Sequence, residues 1–208
     1  MAEVVLPFKY VGGDPAIDLV NTVDWTRHGL KDERLGDYEG LTRWAEGSGV
    51  VSPHLAAKLR RKAAGHPQEA GTVYRAALRA REILRRLLAE LAEGSASEGA
   101  VADFNRILAP VLQHLRVRPL GTAPHLQLGW EDEENKLDSV LWPVLWSAAS
   151  LISSEEASRI RVCGGEDCGW MYVDRSRNGL RRWCQMESCG TREKTRRRRQ
   201  GGAAAPRS

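Results

Sequence analysis

The chain has 208 residues, 42% of them hydrophobic, with 31 Lys+Arg against 27 Asp+Glu and a mean hydropathy of −0.43. That is an ordinary soluble composition, long enough for one domain of usual size and a small one. No apolar run approaches the roughly 18–20 residues that would span a bilayer, which excludes a transmembrane helix.

The net charge of +4 is unevenly placed. Residues 159–208 carry 13 basic and five acidic side chains, leaving 18 basic and 22 acidic in residues 1–158. A mildly acidic body therefore precedes a strongly basic end. Residues 1–7 lack the basic region and long apolar core of a secretory signal. That predicts a cytoplasmic protein, in a compartment where thiols bind metal more readily than they form disulfides.

Phe8–Val11 reads as a short strand turned by Gly12-Gly13. Asp14-Pro15 is an N-cap followed by proline at the first helical position, which predicts a helix through Val23. Residues 24–36 are polar and read as loop. Asp37 caps a second helix that buries Leu41, Trp44 and Ala45, and Ser52-Pro53 repeats the signal for a helix to about Ala64. From His66-Pro67, Val73, Ala77, Leu84, Leu88 and Leu91 recur at helical spacing and predict the longest helix. Another helix over about 101–108 follows. The period then changes to two. Leu115 and Val117, then Leu126 and Leu128 beyond Gly121-Thr122-Ala123-Pro124, predict a half-buried hairpin. Asp138 or Ser139 opens a helix to about Ser153, with Trp142 and Trp146 one turn apart. The expected fold is α+β: a helix-rich body over 1–155 with a small antiparallel sheet, a separate basic module over 159–199, and a disordered tail over 200–208.

All four cysteines fall in that basic module, as Cys163-x4-Cys168 and Cys184-x4-Cys189. A disulfide framework would spread through the chain, whereas two close pairs suit one structural Zn²⁺ held by four thiolates. Four cysteines leave no open position for water, which argues against catalytic zinc. A redox dithiol would prefer C-x2-C, and an iron–sulfur cluster suits the expected hairpin and helix less well. Gly164 and Gly165 let the first knuckle bend. Trp170–Val173 reads as a strand, Asn178-Gly179 as a two-residue hairpin turn, and Arg181–Trp183 as the return strand. Cys189 opens a helix over about 191–199. Knuckle, hairpin and helix follow in the order of a treble-clef zinc finger.

Arg192, Arg196 and Arg199 share one face of that helix, flanked by Lys194, Arg197 and Arg198, and the hairpin adds Arg175, Arg177, Arg181 and Arg182. So much charge on an ordered module points to double-stranded DNA as partner. The alternative is a solvated charged face.

Residues 161–199 resemble the CGNR zinc finger family, through Cys168-Gly169-Trp170, Asp174-Arg175-Ser176-Arg177-Asn178-Gly179, Arg182-Trp183-Cys184 and Cys189-Gly190-Thr191-Arg192. The asparagine of the name motif is Thr191 here, which cannot make a bidentate amide contact to a base. The body is similar to the ABATE domain, through Gly12-Gly13-Asp14, the run Ile17–Val23 and Leu41-Thr42-Arg43-Trp44. The resemblance implies a bacterial, stress-linked transcription regulator in which a sensing or interaction domain is joined to a DNA-binding treble clef.

Asp18 and Asn21, three apart on an otherwise apolar helix, are candidates to line a small-molecule effector site with Arg34. The competing reading is a pair of buried polar groups satisfied by backbone or by the loop that contains Arg34. The five histidines are scattered, and no H-E-x-x-H, G-x-S-x-G or phosphate-loop pattern occurs. The first expectation is a DNA-binding regulator, not an enzyme, whose body senses a ligand or forms a homodimer. The second is an RNA-binding accessory protein that stacks bases on Trp170, Tyr172 or Trp183 if these are exposed. The third is a small-molecule-binding protein or enzyme with a purely structural finger.

Overall fold

The computed structural model describes residues 8–26, 29–121 and 125–202. Residues 1–7, His28, the expected turn at 122–124 and residues 203–208 of the expected tail lie outside this range. Gln200–Gly202 do not form a tail, because they continue the last helix.

Helix α1 (Pro15–Val20) is capped by Asp14, whose Oδ1 accepts the Ala16 N–H at 2.8 Å, and all its residues after Pro15 are buried. It ends three residues earlier than its apolar run predicts. Thr22 turns its hydroxyl back to the Leu19 carbonyl, and Val23 opens a strand instead. Strands β1 (Val23–Thr26) and β2 (Gly29–Glu33) form an antiparallel hairpin across the segment expected to be loop. Of the β2 side chains only Leu30 is apolar, and it is exposed, so no alternation marks the strand. Arg81, 2% exposed, fastens the hairpin by two bonds to the Glu33 carboxylate and one to the Thr22 hydroxyl. Phe8–Val11, expected as a strand, pairs with no strand among the described residues.

Asp37 and Ser52 cap α2 (Tyr38–Gly47) and α3 (Pro53–Gly65) as their sequences predict. The longest helix, α4 (Pro67–Ala92), buries Val73, Ala77, Leu84, Leu87 and Leu88 against α1 and α2. Helix α5 (Glu98–Leu112) runs four residues past its expected end, and α6 (Trp142–Ile152) begins after a 3-10 turn over Leu137–Leu141. Strands β3 (Leu115–Pro119) and β4 (Leu126–Trp130) form the expected hairpin, but it is not half-buried. Val117 is 63% and Leu126 70% exposed. Only its root is anchored, where His114 stacks on Trp142 at 4.0 Å and Trp130 leans on the same ring.

A 3-10 turn (Glu155–Arg159) leads to β5 (Ile160–Val162), which pairs with β6 (Met171–Val173). The expected partner of β6, Arg181–Trp183, is not a strand. A type I′ turn needs positive φ at both central residues, and of Asn178 and Gly179 only Gly179 has it, at 63°. Asp174 organises the loop instead. One of its carboxylate oxygens accepts the Ser176 N–H and hydroxyl, and the other accepts the Arg181 N–H. A wide turn over Met186–Gly190 then leads into α7 (Thr191–Gly202). Ile160, Met171, Tyr172 and Val173 are buried in the same core as α1 and α4. No helix among the described residues is long and apolar enough to cross a membrane.

Candidate metal centre and nucleic-acid interface

The β5–β6 loop supplies Cys163 and Cys168. The ladder continues into it, with the Cys163 N–H bonded to the Trp170 carbonyl at 2.8 Å. The segment after the Asp174 loop crosses the knuckle, where the Gly164 N–H donates to the Arg182 carbonyl at 2.9 Å and delivers Cys184. Cys189 comes from the wide turn before α7. The four sulfurs lie within 4.8 Å of one another. Zn–S bonds of about 2.3 Å place tetrahedral ligands about 3.8 Å apart. Cys168 and Cys184 stand at 3.8 Å, and Cys184 and Cys189 at 3.6 Å. The donor set fits one structural zinc ion.

The protonation chemistry of the cluster agrees. Hydrogen bonds from Cys168 and Cys184 push the Cys163 thiol down, and their contacts with Cys163 push Cys168 and Cys184 up. Four sulfurs this close cannot all ionise unaided, and a bound dication supplies the charge that lets them. The chain adds donors of its own. The Cys184 N–H reaches Cys163 Sγ at 3.2 Å, and Arg192 reaches Cys189 Sγ at 3.1 Å.

The metal-bearing region is fastened to the body along β6. One edge of β6 pairs with β5, and the other is covered by residues flanking α1. The Val173 N–H donates to the Gly12 carbonyl at 2.8 Å, and the Asn21 amide exchanges two bonds with the Met171 backbone. Trp170 Nε1 donates to the Val23 carbonyl, and the Gly169 N–H to the Trp25 carbonyl. Gly169 has no room for a side chain there, since a Cβ would stand 2.7 Å from Trp25 Cβ. Arg85 closes the seam, bonding the Gly169 carbonyl while its guanidinium lies over the Trp25 ring. Nothing in the local sequence signals these roles of Arg81 and Arg85, which depend on elements distant in the chain.

The three residues expected to share an effector site are not gathered into one. Asn21 serves Met171. Asp18 accepts the Gly12 N–H at 2.8 Å, and burial pushes its carboxyl up to about 6. Arg34 binds both oxygens of Asp24, at 2.8 and 2.9 Å, and stands 5.4 Å from the Trp170 ring centre. It lines a cleft of about 390 Å³ at the seam, together with Lys9, Trp170 and Arg192.

The basic residues divide into two groups. Arg175 pairs with Glu156 and bonds the Gly13 carbonyl, while Arg181 bonds the carbonyls of Val11, Trp183 and Cys184 and lies 4.1 Å over Tyr172. Glu193 is buried and pairs with both Arg196 and Arg197, which hold its carboxyl down at about 2. Arg192, Arg196 and Arg199 do line one side of α7, but the first two already serve Cys189 and Glu193. Arg177, Arg182, Lys194, Arg198 and Arg199 are exposed and have no acidic partner among the described residues. Of the candidate stacking rings, Trp170 and Tyr172 are buried, whereas Trp183 is half-buried beside Arg182, at 5.2 Å.

A four-cysteine zinc finger built onto a helical body defines the class of protein. Comparison with known families gives the particular one. Residues 13–155 match the ABATE family, described as "putative stress-induced transcription regulator", and residues 159–200 match the CGNR zinc finger. The chain belongs to the ABATE family and carries a CGNR zinc finger. No curated protein matches it.

Proposed function

We propose that this protein is a cytoplasmic transcription regulator that docks its zinc finger on double-stranded DNA. The observation that carries this reading is that Arg177, Arg182, Lys194, Arg198 and Arg199, on the Asp174 loop, the segment before Cys184 and α7, are exposed and have no acidic partner among the described residues. Such cations suit phosphate contacts, which position a protein on duplex DNA without reading its sequence. The burial of Trp170 and Tyr172 supports docking through α7 rather than base stacking on β6. Arg175, Arg181, Arg192, Arg196 and Arg197 act mainly as internal supports, and zinc fixes the loops that present the others. A small-molecule effector would act from the cleft lined by Lys9, Arg34 and Arg192, where it would touch body and finger together.

Fluorescence anisotropy of the zinc-loaded protein on labelled duplex DNA tests the reading. Binding should be lost on chelation and should weaken steeply with salt. Replacing Arg198 and Arg199 together by Ala should flatten the salt slope by about two. Unchanged affinity and slope in that variant would overturn the docking face.

One observation favours a second reading. Trp183, with Leu180, Arg182 and Met186, walls an open cleft of about 540 Å³, where an unpaired base could stack. Displacement of the duplex by single-stranded RNA, with loss of RNA binding on Trp183→Ala, would establish that reading instead.

A further inference from the structure

We infer that the β3–β4 hairpin is a self-association surface whose partner is a second copy of this chain. Leu115 pairs with Trp130, Val117 with Leu128, and Pro119 with Leu126. Directly paired residues share a face, so these six side chains form one side of the hairpin, and Arg116, Arg118 and Gln127 form the other. Trp130 at the root packs against the core of the body. Val117, Leu126 and Leu128 are 63%, 70% and 52% exposed, and Pro119 is exposed with them. Scattered apolar surface residues need no explanation, but an alternating strand pair that places every charge on one side and none on the other presents a contiguous apolar face. A two-stranded hairpin is also marginal alone and gains stability when such a face is covered.

Two features fit an identical copy as the cover. No position on the face is charged, so two such faces meet about a two-fold axis without burying like charges, and the arginines stay on the outer sides. The area also sets the strength. The exposed part of the face amounts to about 400 Å² per copy, so a pair covers about 800 Å², below a standard interface and suited to a weak, reversible dimer. This inference stands without the DNA reading, and the salt response separates the two. Each copy carries a net +4, so added salt screens repulsion and holds or strengthens self-association, whereas it weakens DNA binding.

Sedimentation velocity of the zinc-loaded full chain without DNA, from roughly 1 to 100 µM, reads the equilibrium directly. The expected result is a sedimentation coefficient that rises with concentration. Leu126→Glu with Leu128→Glu should leave a monomer throughout the range, with unchanged circular dichroism, because both side chains face solvent in the single chain. Gln127→Glu on the opposite side should behave as wild type. A wild type that stays monomeric to the top of the range would overturn the inference and leave the face to a different protein. A dimer that persists in the double variant would overturn it too, by placing the interface elsewhere.

Discussion

The side-chain amide of Asn21 and the backbone of Met171, 150 positions apart in the chain, exchange two buried hydrogen bonds of 2.9 Å. Asn21 follows α1, and Met171 opens β6, so the amide completes the edge of a two-stranded sheet as a third strand would. Replacing Asn21 by Leu leaves a buried N–H and a buried carbonyl without partners, at a cost of about 2–4 kcal/mol. Urea denaturation followed by circular dichroism measures this. A loss under about 0.5 kcal/mol would mean that water reaches the Met171 backbone and that the seam is looser than its geometry.

Zinc holds more than the finger. The metal-bearing region shares one core with the body through Ile160, Met171, Tyr172 and Val173, and a four-thiolate site contributes about 10–16 kcal/mol of apparent binding energy. Elemental analysis should find one zinc per chain, and Cys184→Ala should abolish it. Chelation should lower the melting temperature of the whole protein in a single transition. A body that melts unchanged after chelation would show that the two parts fold independently.

Asp18 gives stability a particular pH dependence. Its folded carboxyl titrates near 6, above its unfolded value of 3.8, because burial disfavours the charge. The folded state therefore binds this proton more tightly. The stabilisation is full below pH 3.8 and is lost as pH rises through 6, leaving a charged-state cost of about 3 kcal/mol at pH 7. Asp18→Asn keeps an acceptor for the Gly12 N–H and removes the charge. The stability of the variant minus that of wild type should be near zero at pH 4 and grow to a few kcal/mol at pH 7. Taking the difference cancels the pH dependence of the zinc site. A flat difference would mean that the Asp18 charge is well solvated.

Glu193 restrains two of the arginines on α7. Its carboxylate stays ionised down to about pH 2 and pairs with Arg196 and Arg197. Under the DNA reading, Glu193→Gln releases Arg197 toward phosphate, while Arg196 keeps Glu166 at 3.5 Å. Duplex affinity should rise several-fold at low salt, and the salt slope should steepen by about one. An unchanged slope in anisotropy titrations would place Arg197 away from the DNA.

The sequence by itself determined the features that depend on local chemistry. Asp14, Asp37 and Ser52 each cap a helix, because a short acceptor side chain bonds the N–H groups of the next turn whatever lies beyond it. Two close cysteine pairs were enough to locate the metal site, because thiolate and zinc impose their own geometry. Only the tertiary structure decided how the last quarter of the chain attaches. β6 pairs with β5 and with the flanks of α1, not with Arg181–Trp183, because the choice depends on groups such as Gly12 and Asn21 that lie about 150 positions away. It also decided which arginines are available. Arg181 and Arg199 look alike in sequence. One is absorbed by the carbonyls of Val11, Trp183 and Cys184, and the other stands in solvent, because the role of a long cation is set by the acceptors that the fold brings within reach. The β3–β4 hairpin makes the same point for apolar residues. Alternation fixes which side chains share a face, but only packing decides whether that face is covered by the chain itself.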